Sequence, residues 1–211
     1  MIGDQGYTVE VIRFDVAKEF IHKHHYSGGS HNRPSPCFGL FRPDPMMWES
    51  QLIGCMMLAT PISERVRASL FGEEHKDRVK ELHRLAIIDD TPKNTESWFI
   101  SRCLKMLRSV RPDLWGLISF ADTTEGHEGT IYHASNALYC GTTGKETFYL
   151  DQTGRLRHKR QCGVNISVKE AKSRGWEPVV REAKHRFVFI LGDKREKRER
   201  RRLLKVQVVE R

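Results

Sequence analysis

The stretch ISFADTTEGHEGTIYHASNALYCG, Ile118 to Gly141, holds a carboxylate (Asp122), a phenol (Tyr132), a hydroxyl (Ser135) and an amide (Asn136). Asp122 follows an apolar run that reads as a strand, and the C-terminal ends of parallel strands are where open α/β sheets bind ligands. A helix over Thr130 to Leu138 sets Tyr132, Ser135 and Asn136 at i, i+3 and i+4, on one face. An acid and a phenol converging there can move a proton to or from a reacting group. The same residues can equally brace a loop, as a cap, a satisfied phenol and a turn amide.

More polar residues interrupt ELHRLAI, Glu81 to Ile87, which otherwise reads as a core strand. Glu81, His83 and Arg84 must be paired there or face a ligand, because an isolated charge is costly to bury. Histidines cluster in HKHH, His22 to His25. His22 and His25 are three apart while His24 points elsewhere, so a regular helix cannot aim all three at one ion. The simpler reading is imidazoles at a helix C-terminus, favoured by the dipole when protonated.

The elements that carry these residues follow from periodicity and breakers. Tyr7 to Arg13 alternates as a first strand. Asp15 is placed to cap a helix with Ala17, Phe20, Ile21 and His24 on one face, stopped by Ser27-Gly28-Gly29. Cys37 to Phe41 and Leu52 to Ala59 form an antiparallel pair around a loop containing Arg42-Pro43-Asp44-Pro45. Val79 to Ile88 is a strand, Asp89 to Asn94 a loop, and a helix starts near Thr95, burying Phe99, Cys103, Leu104 and Leu107 and ending before Pro112. Leu114 to Phe120 is the next strand. Strand, helix, strand is a crossover, so Val79 to Ile88 and Leu114 to Phe120 are parallel. Thr147 to Leu150 and Leu156 to Lys159 read as a hairpin, Ser167 to Glu170 as a capping box, Gly175 as a helix stop and Arg186 to Leu191 as the last strong strand.

A chain of 211 residues with 38% hydrophobic content suits one sizeable core. No stretch approaches the roughly 20 apolar residues of a membrane span. The N-terminus lacks a basic region followed by an apolar run, so a cytoplasmic protein is expected. The five cysteines are scattered without C-x-x-C spacing, which favours neither a disulfide framework nor a zinc ribbon.

The net charge is +9, and KREKRERRR, Lys194 to Arg202, carries seven basic residues and two acids. Such a run is a solvated helix face or tail, or a polyanion contact. Lys194, Arg195, Lys197, Arg198, Arg200, Arg201 and Arg202 are the candidate nucleic-acid contacts. The expected organisation is a catalytic domain over residues 1–192 and a basic extension over 193–211.

The element order resembles the GNAT acyltransferase fold, an α/β (α+β) architecture with a mixed central sheet flanked by helices. In that fold two parallel strands splay and an activated acyl donor lies in the gap. The resemblance implies a donor site at Ile87, Lys93, Asn94, Thr95, Ser97 and Asn136, where a helix N-terminus and Lys93 favour an anion. The loop DDTPKNTES lacks the glycines that such enzymes carry there. Thr95 as a simple helix cap and Pro92 as a loop former fit it equally.

ELHRLAI, PKNTESW, SFAD followed by GHEGTIYHASN, and AKHRFVFILGDKREKR are together similar to the Mom family of phage DNA-modification proteins. The resemblance spans nearly the whole chain. It implies transfer of a carbamoylmethyl (glycinamide-like) group to the adenine amine of double-stranded DNA, protecting it from restriction endonucleases in an infected bacterium. It maps the family's arginine onto Arg84, its aspartate onto Asp122 and its tyrosine onto Tyr132, with Glu81 beside Arg84 in the cleft. Asp122 would accept a proton from the amine, and Tyr132 would protonate a leaving group or stack on an extruded base. The donor is left open between an acetyl-coenzyme A-like molecule and an aminoacyl or RNA-borne one. Iron is implied as an associated metal, with His24 or His25 and Asp122 as its candidate ligands. The competing classes are a GNAT-type acetyltransferase acting on a protein or small amine, and a noncatalytic DNA-binding protein.

Overall fold

A computed structural model describes residues 6–25, 35–43, 50–158 and 166–209. Its centre is a seven-stranded sheet in the order β1-β2-β3-β4-β5-β10-β6, built from β1 (Thr8–Ile12), β2 (Cys37–Pro43), β3 (Ser50–Ala59), β4 (Val79–Ile87), β5 (Gly116–Ala121), β6 (Leu138–Thr142) and β10 (His185–Ile190). Only β4 and β5 pair in parallel, as the crossover through α3 (Thr95–Val110) requires; the other neighbours are antiparallel.

Alternation along the strands divides the apolar residues between two faces. Met56, Leu58, Leu117, Phe187 and Phe189 meet Phe99, Ile100, Cys103 and Leu107 of α3. On the other face Cys55, Met57 and Ala86 meet Ala17, Phe20 and Ile21 of α1 (Phe14–His24). Farther along that face Val79, Ile118 and Val188 meet Leu70 and Phe71 of α2 (Glu64–Phe71) and the C-terminal residues Leu204, Val206 and Val208.

A smaller sheet, in the order β8-β7-β9, is inserted between β6 and β10. It comprises β7 (Glu146–Leu150), β8 (Leu156–His158) and β9 (Glu177–Arg181), with α5 (Val168–Ser173) before β9. Tyr149, Ile166 and Ala171, with Trp176 against them, form its own small core.

Several local expectations are corrected. Asp15 does not cap α1: it sits in the first turn and pairs with Arg13, the N-cap residue. Arg42 and Pro43 stay in the β2 ladder opposite Gln51 and Ser50, and Arg42 reaches Asp90 at 3.2 Å. The remainder of that loop and Ser27-Gly28-Gly29 lie outside the described residues. The helix expected over Thr130 to Leu138 is α4, Thr130–Ala134 only; Asn136 turns left-handed at φ 60° and the chain enters β6. Ser167 caps α5 by accepting from the Glu170 N–H, while the Glu170 carboxylate pairs with Arg174. The run Lys194 to Arg202 is helical, in α6 (Lys194–Leu203), opened by a capping box between Asp193 and Glu196.

Gly129 starts α4 at φ +78°, and a Cβ there would stand 2.3 Å from the Phe187 ring. Gly126 has φ +73° and open space. Gly129→Ala is therefore expected to cost about 3 kcal/mol, from backbone strain plus overpacking. Gly126→Ala is expected to cost about 1 kcal/mol, from the left-handed backbone alone. Urea unfolding of the two variants measures the difference.

Candidate active site

The parallel ladder between β4 and β5 is short: Val79 pairs with Gly116, Lys80 with Leu117 and Glu81 with Ile118. Beyond Glu81 the strands separate. On its other edge β4 stays paired with β3, with a register shift that leaves His83 as an extra residue between Leu82 and Arg84. The bulge reverses the side-chain phase: Leu82 and Leu85, three apart, both pack on the α3 side. His83 and Arg84 sit at this reversal and line a cleft of about 350 Å³ between the splayed strands. This explains the polar residues in ELHRLAI.

Glu81, Arg84, Asp122 and Tyr132 all line that cleft. Asp122, directly after β5, is 5% exposed and accepts from the Thr124 N–H at 3.1 Å. Lys184 Nζ stands 3.1 Å from its carboxylate and Arg181 3.8 Å. Burial alone would push this carboxyl up. The hydrogen bond and charge of Lys184, the charge of Arg181 and the Thr124 N–H outweigh burial and hold it below its usual value.

Tyr132 is 8% exposed, its ring packed on Phe187 and Phe189 at centroid distances of 5.1 and 6.2 Å. Arg84 Nη1 donates to the His83 carbonyl at 2.7 Å. Glu81 Oε1 lies 3.5 Å from His83 Nδ1, and His83 Nε2 is buried with no hydrogen-bond partner among the described residues.

His25, at the end of α1, also lines the cleft. Burial, then the charges of Arg84, His127 and His83, push its pKa down to about 4. At neutral pH His25 is an uncharged imidazole. His24 instead stacks on Phe20 at 4.5 Å, and the cleft lining does not include it. Of the two histidines implied as iron ligands with Asp122, His25 shares its cleft and His24 does not, and among the described residues no group of three His, Cys, Asp or Glu side chains could hold a metal ion.

The residues expected at a donor site divide. Ile87, Lys93, Asn94 and Ser97 line a shallow trough at the start of α3. Lys93, Asn94, Ser97 and Asn136 line an adjoining groove of about 660 Å³ against α3, floored by Phe189 to Leu191. Thr95 is buried; its hydroxyl donates to the Pro92 carbonyl at 2.6 Å and its N–H donates to the same oxygen at 3.2 Å. Asn136 lies past the end of α4, so Ser135 and Asn136 face this groove while Tyr132 faces the cleft. Sequence reasoning missed Lys105 and Arg108, which join Lys93 and Lys197 here. None of these four cations forms an ion pair among the described residues.

Lys184 and Arg181 were also missed. The one signal was position: Lys184 directly precedes the last strong strand, whose pairing with β5 brings it beside Asp122. The basic run lies elsewhere. α6 leaves the opposite end of β10, where Ile190 pairs with Gly116. Arg195 pairs with Glu199 and Arg200 with Glu196, and Arg200 also donates to the Leu191 carbonyl and covers the Trp115 ring.

The model of the Mom protein family matches residues 6–208. The chain is 28% identical over 212 residues to methylcarbamoylase Mom of Escherichia phage Mu, covering 97% of this chain and 84% of that protein. Its fold matches a spermidine/spermine N-acetyltransferase of Vibrio cholerae at a TM-score of 0.51, with 11% identity and coverage of 96% of this chain and 99% of that one. The mixed sheet flanked by helices is thus an acetyltransferase-type fold.

His25 also makes stability depend on pH. Its folded pKa lies below the ordinary 6.5, so the unfolded chain binds the extra proton first. Its contribution to stability is complete above about pH 6.5 and is lost as pH falls towards 4. Urea midpoints at pH 7 and pH 5 should therefore converge in His25→Gln relative to the wild type.

Proposed function

The chain belongs to the Mom protein family, and we propose that it is a transferase that modifies DNA, placing a carbamoylmethyl group on the N6 amine of adenine. Such a product would shield DNA from restriction endonucleases in the cytoplasm of an infected bacterium. The observation that carries this reading is that Asp122, with Lys184 at 3.1 Å, lines one cleft with Arg84 and Tyr132 between splayed strands.

The adenine amine is a weak nucleophile because its lone pair is delocalised into the ring. It must lose a proton as its nitrogen bonds to the donor's carbon. Asp122, kept ionised by Lys184 and Arg181, first accepts an N6–H hydrogen bond and so orients the lone pair at the donor. Its lowered proton affinity suits that role. As the N–C bond forms, the nitrogen becomes positive and far more acidic, and the proton passes to Asp122 despite the ion pairs. The bond between the donor's carbon and the leaving group breaks as the N–C bond forms, and Arg84 adds a fixed positive charge where the leaving group takes up the electron pair. The Tyr132 hydroxyl can return a proton to that group.

Mass spectrometry of nucleosides from plasmid DNA, after expression in a bacterium, tests this reading. We expect an adenosine species heavier by one carbamoylmethyl group. Asp122→Asn, which keeps the shape and removes the charge, should lower its yield at least ~100-fold. Unmodified DNA from folded wild-type protein would overturn adenine as the acceptor.

The donor is proposed to lie on the α3 side, with an anionic part among Lys93, Lys105, Arg108 and Lys197. Cations gathered in a groove without paired carboxylates focus a positive field. Lys105→Glu with Arg108→Glu should lower modification at least ~10-fold while leaving duplex binding near wild type, which separates donor loss from DNA loss.

A further inference from the structure

We infer that the inserted sheet β7–β9 with α5 is an arm that holds the phosphate backbone of the acceptor duplex beside the cleft, an inference that rests on the DNA reading above. The attachment of the arm places it there. β6 ends at Thr142, which pairs with His185, and His185 pairs with Ala121, the residue before Asp122. The Thr143 N–H donates to the Lys184 carbonyl at 2.9 Å, and the Lys184 N–H donates to the Thr143 hydroxyl at 2.9 Å. Both necks of the arm therefore meet at the rim of the cleft.

The arm is also braced on the reactive loop. Thr123 Oγ1 donates to the Ala183 carbonyl at 2.8 Å, Arg181 pairs with Glu125 at 2.8 Å, and Lys184 pairs with Asp122. Within the arm, Asp151 accepts from the Thr153 and Arg155 N–H groups and pairs with Arg157, which fixes the β7–β8 turn. The Gln152 side chain ties that turn to the end of α5 by donating to the Arg174 carbonyl at 3.2 Å.

Charge then selects the partner. Residues 145–158 and 166–184 hold eight Lys and Arg against five Asp and Glu, in a chain whose net charge is +9. Arg155, Lys169 and Lys172 are exposed and form no ion pair among the described residues. From the neck pair Glu146–Arg181 to the distal pair Leu150–Glu177 the strands extend about 13 Å. That is the rise of about four base pairs. An enzyme that takes a base out of the stack needs purchase on the flanking backbone, and the arm stands where those phosphates would pass.

The basic helix α6 is the rival surface. It departs from the far end of β10, about 17 Å along the strand from the rim, and Arg195 and Arg200 are paired within it.

The experiment measures binding of a fluorescent duplex to the full-length protein across a salt series. Arg155→Glu, Lys169→Glu and Lys172→Glu together should weaken binding at least ~10-fold and flatten the slope of log K against log salt by about 2 to 3. The corresponding Gln triple should give a smaller loss in the same direction. Lys194→Glu, Arg198→Glu and Arg202→Glu on α6 should stay within about twofold of wild type. Wild-type binding by both arm variants, or a large loss confined to the α6 variant, overturns the arm while leaving the DNA reading intact. No salt-dependent duplex binding by the wild type overturns both. Matched thermal melting curves verify that each variant is folded.

Discussion

The three-residue parallel ladder between β4 and β5 is the constraint on which the rest of the site depends. Longer pairing would close the cleft; without it the two halves of the sheet would have no common register. After Glu81 and Ile118 each strand needs another reason to stay in place. β4 remains fixed to β3 through its bulge, and β5 remains fixed to β10 through all six of its residues. The gap is therefore held open from both outer edges, and the side chains that enter it are set by those ladders. His83 and Arg84 arrive by the bulge, and Asp122 arrives because β5 stops.

That geometry creates an electrostatic problem that the inserted arm solves. A carboxylate only 5% exposed at the head of the gap would tend to take up a proton. Lys184 and Arg181, at the root of the arm, keep it ionised. The same arrangement ties the position of the arm to the charge of the reactive loop. Positive charge on this side has the converse effect on His25, which Arg84, His83 and His127 help to keep neutral. A cleft that presents the Asp122 carboxylate beside an uncharged His25 imidazole can receive an amine.

Much of this was legible in the sequence because it depends on short-range pattern. β1 to β5, α3, the β7–β8 hairpin and β10 follow from alternation, helical spacing and breakers, and the crossover dictates the parallel pair. Asp122 was legible because a strand end is a local feature. The bulge at His83 was not, since ELHRLAI satisfies a regular strand as readily as an interrupted one. Nor was β6: Asn136 reads as a helical residue until its left-handed backbone ends α4. β9 hides in EPVVR, where Pro178 argues against a ladder, and it lies at the edge of the small sheet, where proline is tolerated. The placement of KREKRERRR depends on which end of β10 it follows, and Lys184 gains its role only from the pairing of β10 with β5. Both are facts of topology that composition does not carry.

The loop without glycine follows the same logic. A backbone cradle for phosphate needs several N–H groups directed outward, and here the Thr95 N–H turns back to Pro92 and the Trp98 N–H to Asn94. Under the donor site proposed above, anion recognition on the α3 side would pass to long side chains, Lys93, Lys105, Arg108 and Lys197, spread along the groove. Side-chain cations hold charge over a wider area and with less geometric demand than a nest of amides. An acetyltransferase-type fold can in this way keep its splayed strands and give up the glycine loop, provided that its donor offers an anion within reach of α3 and α6.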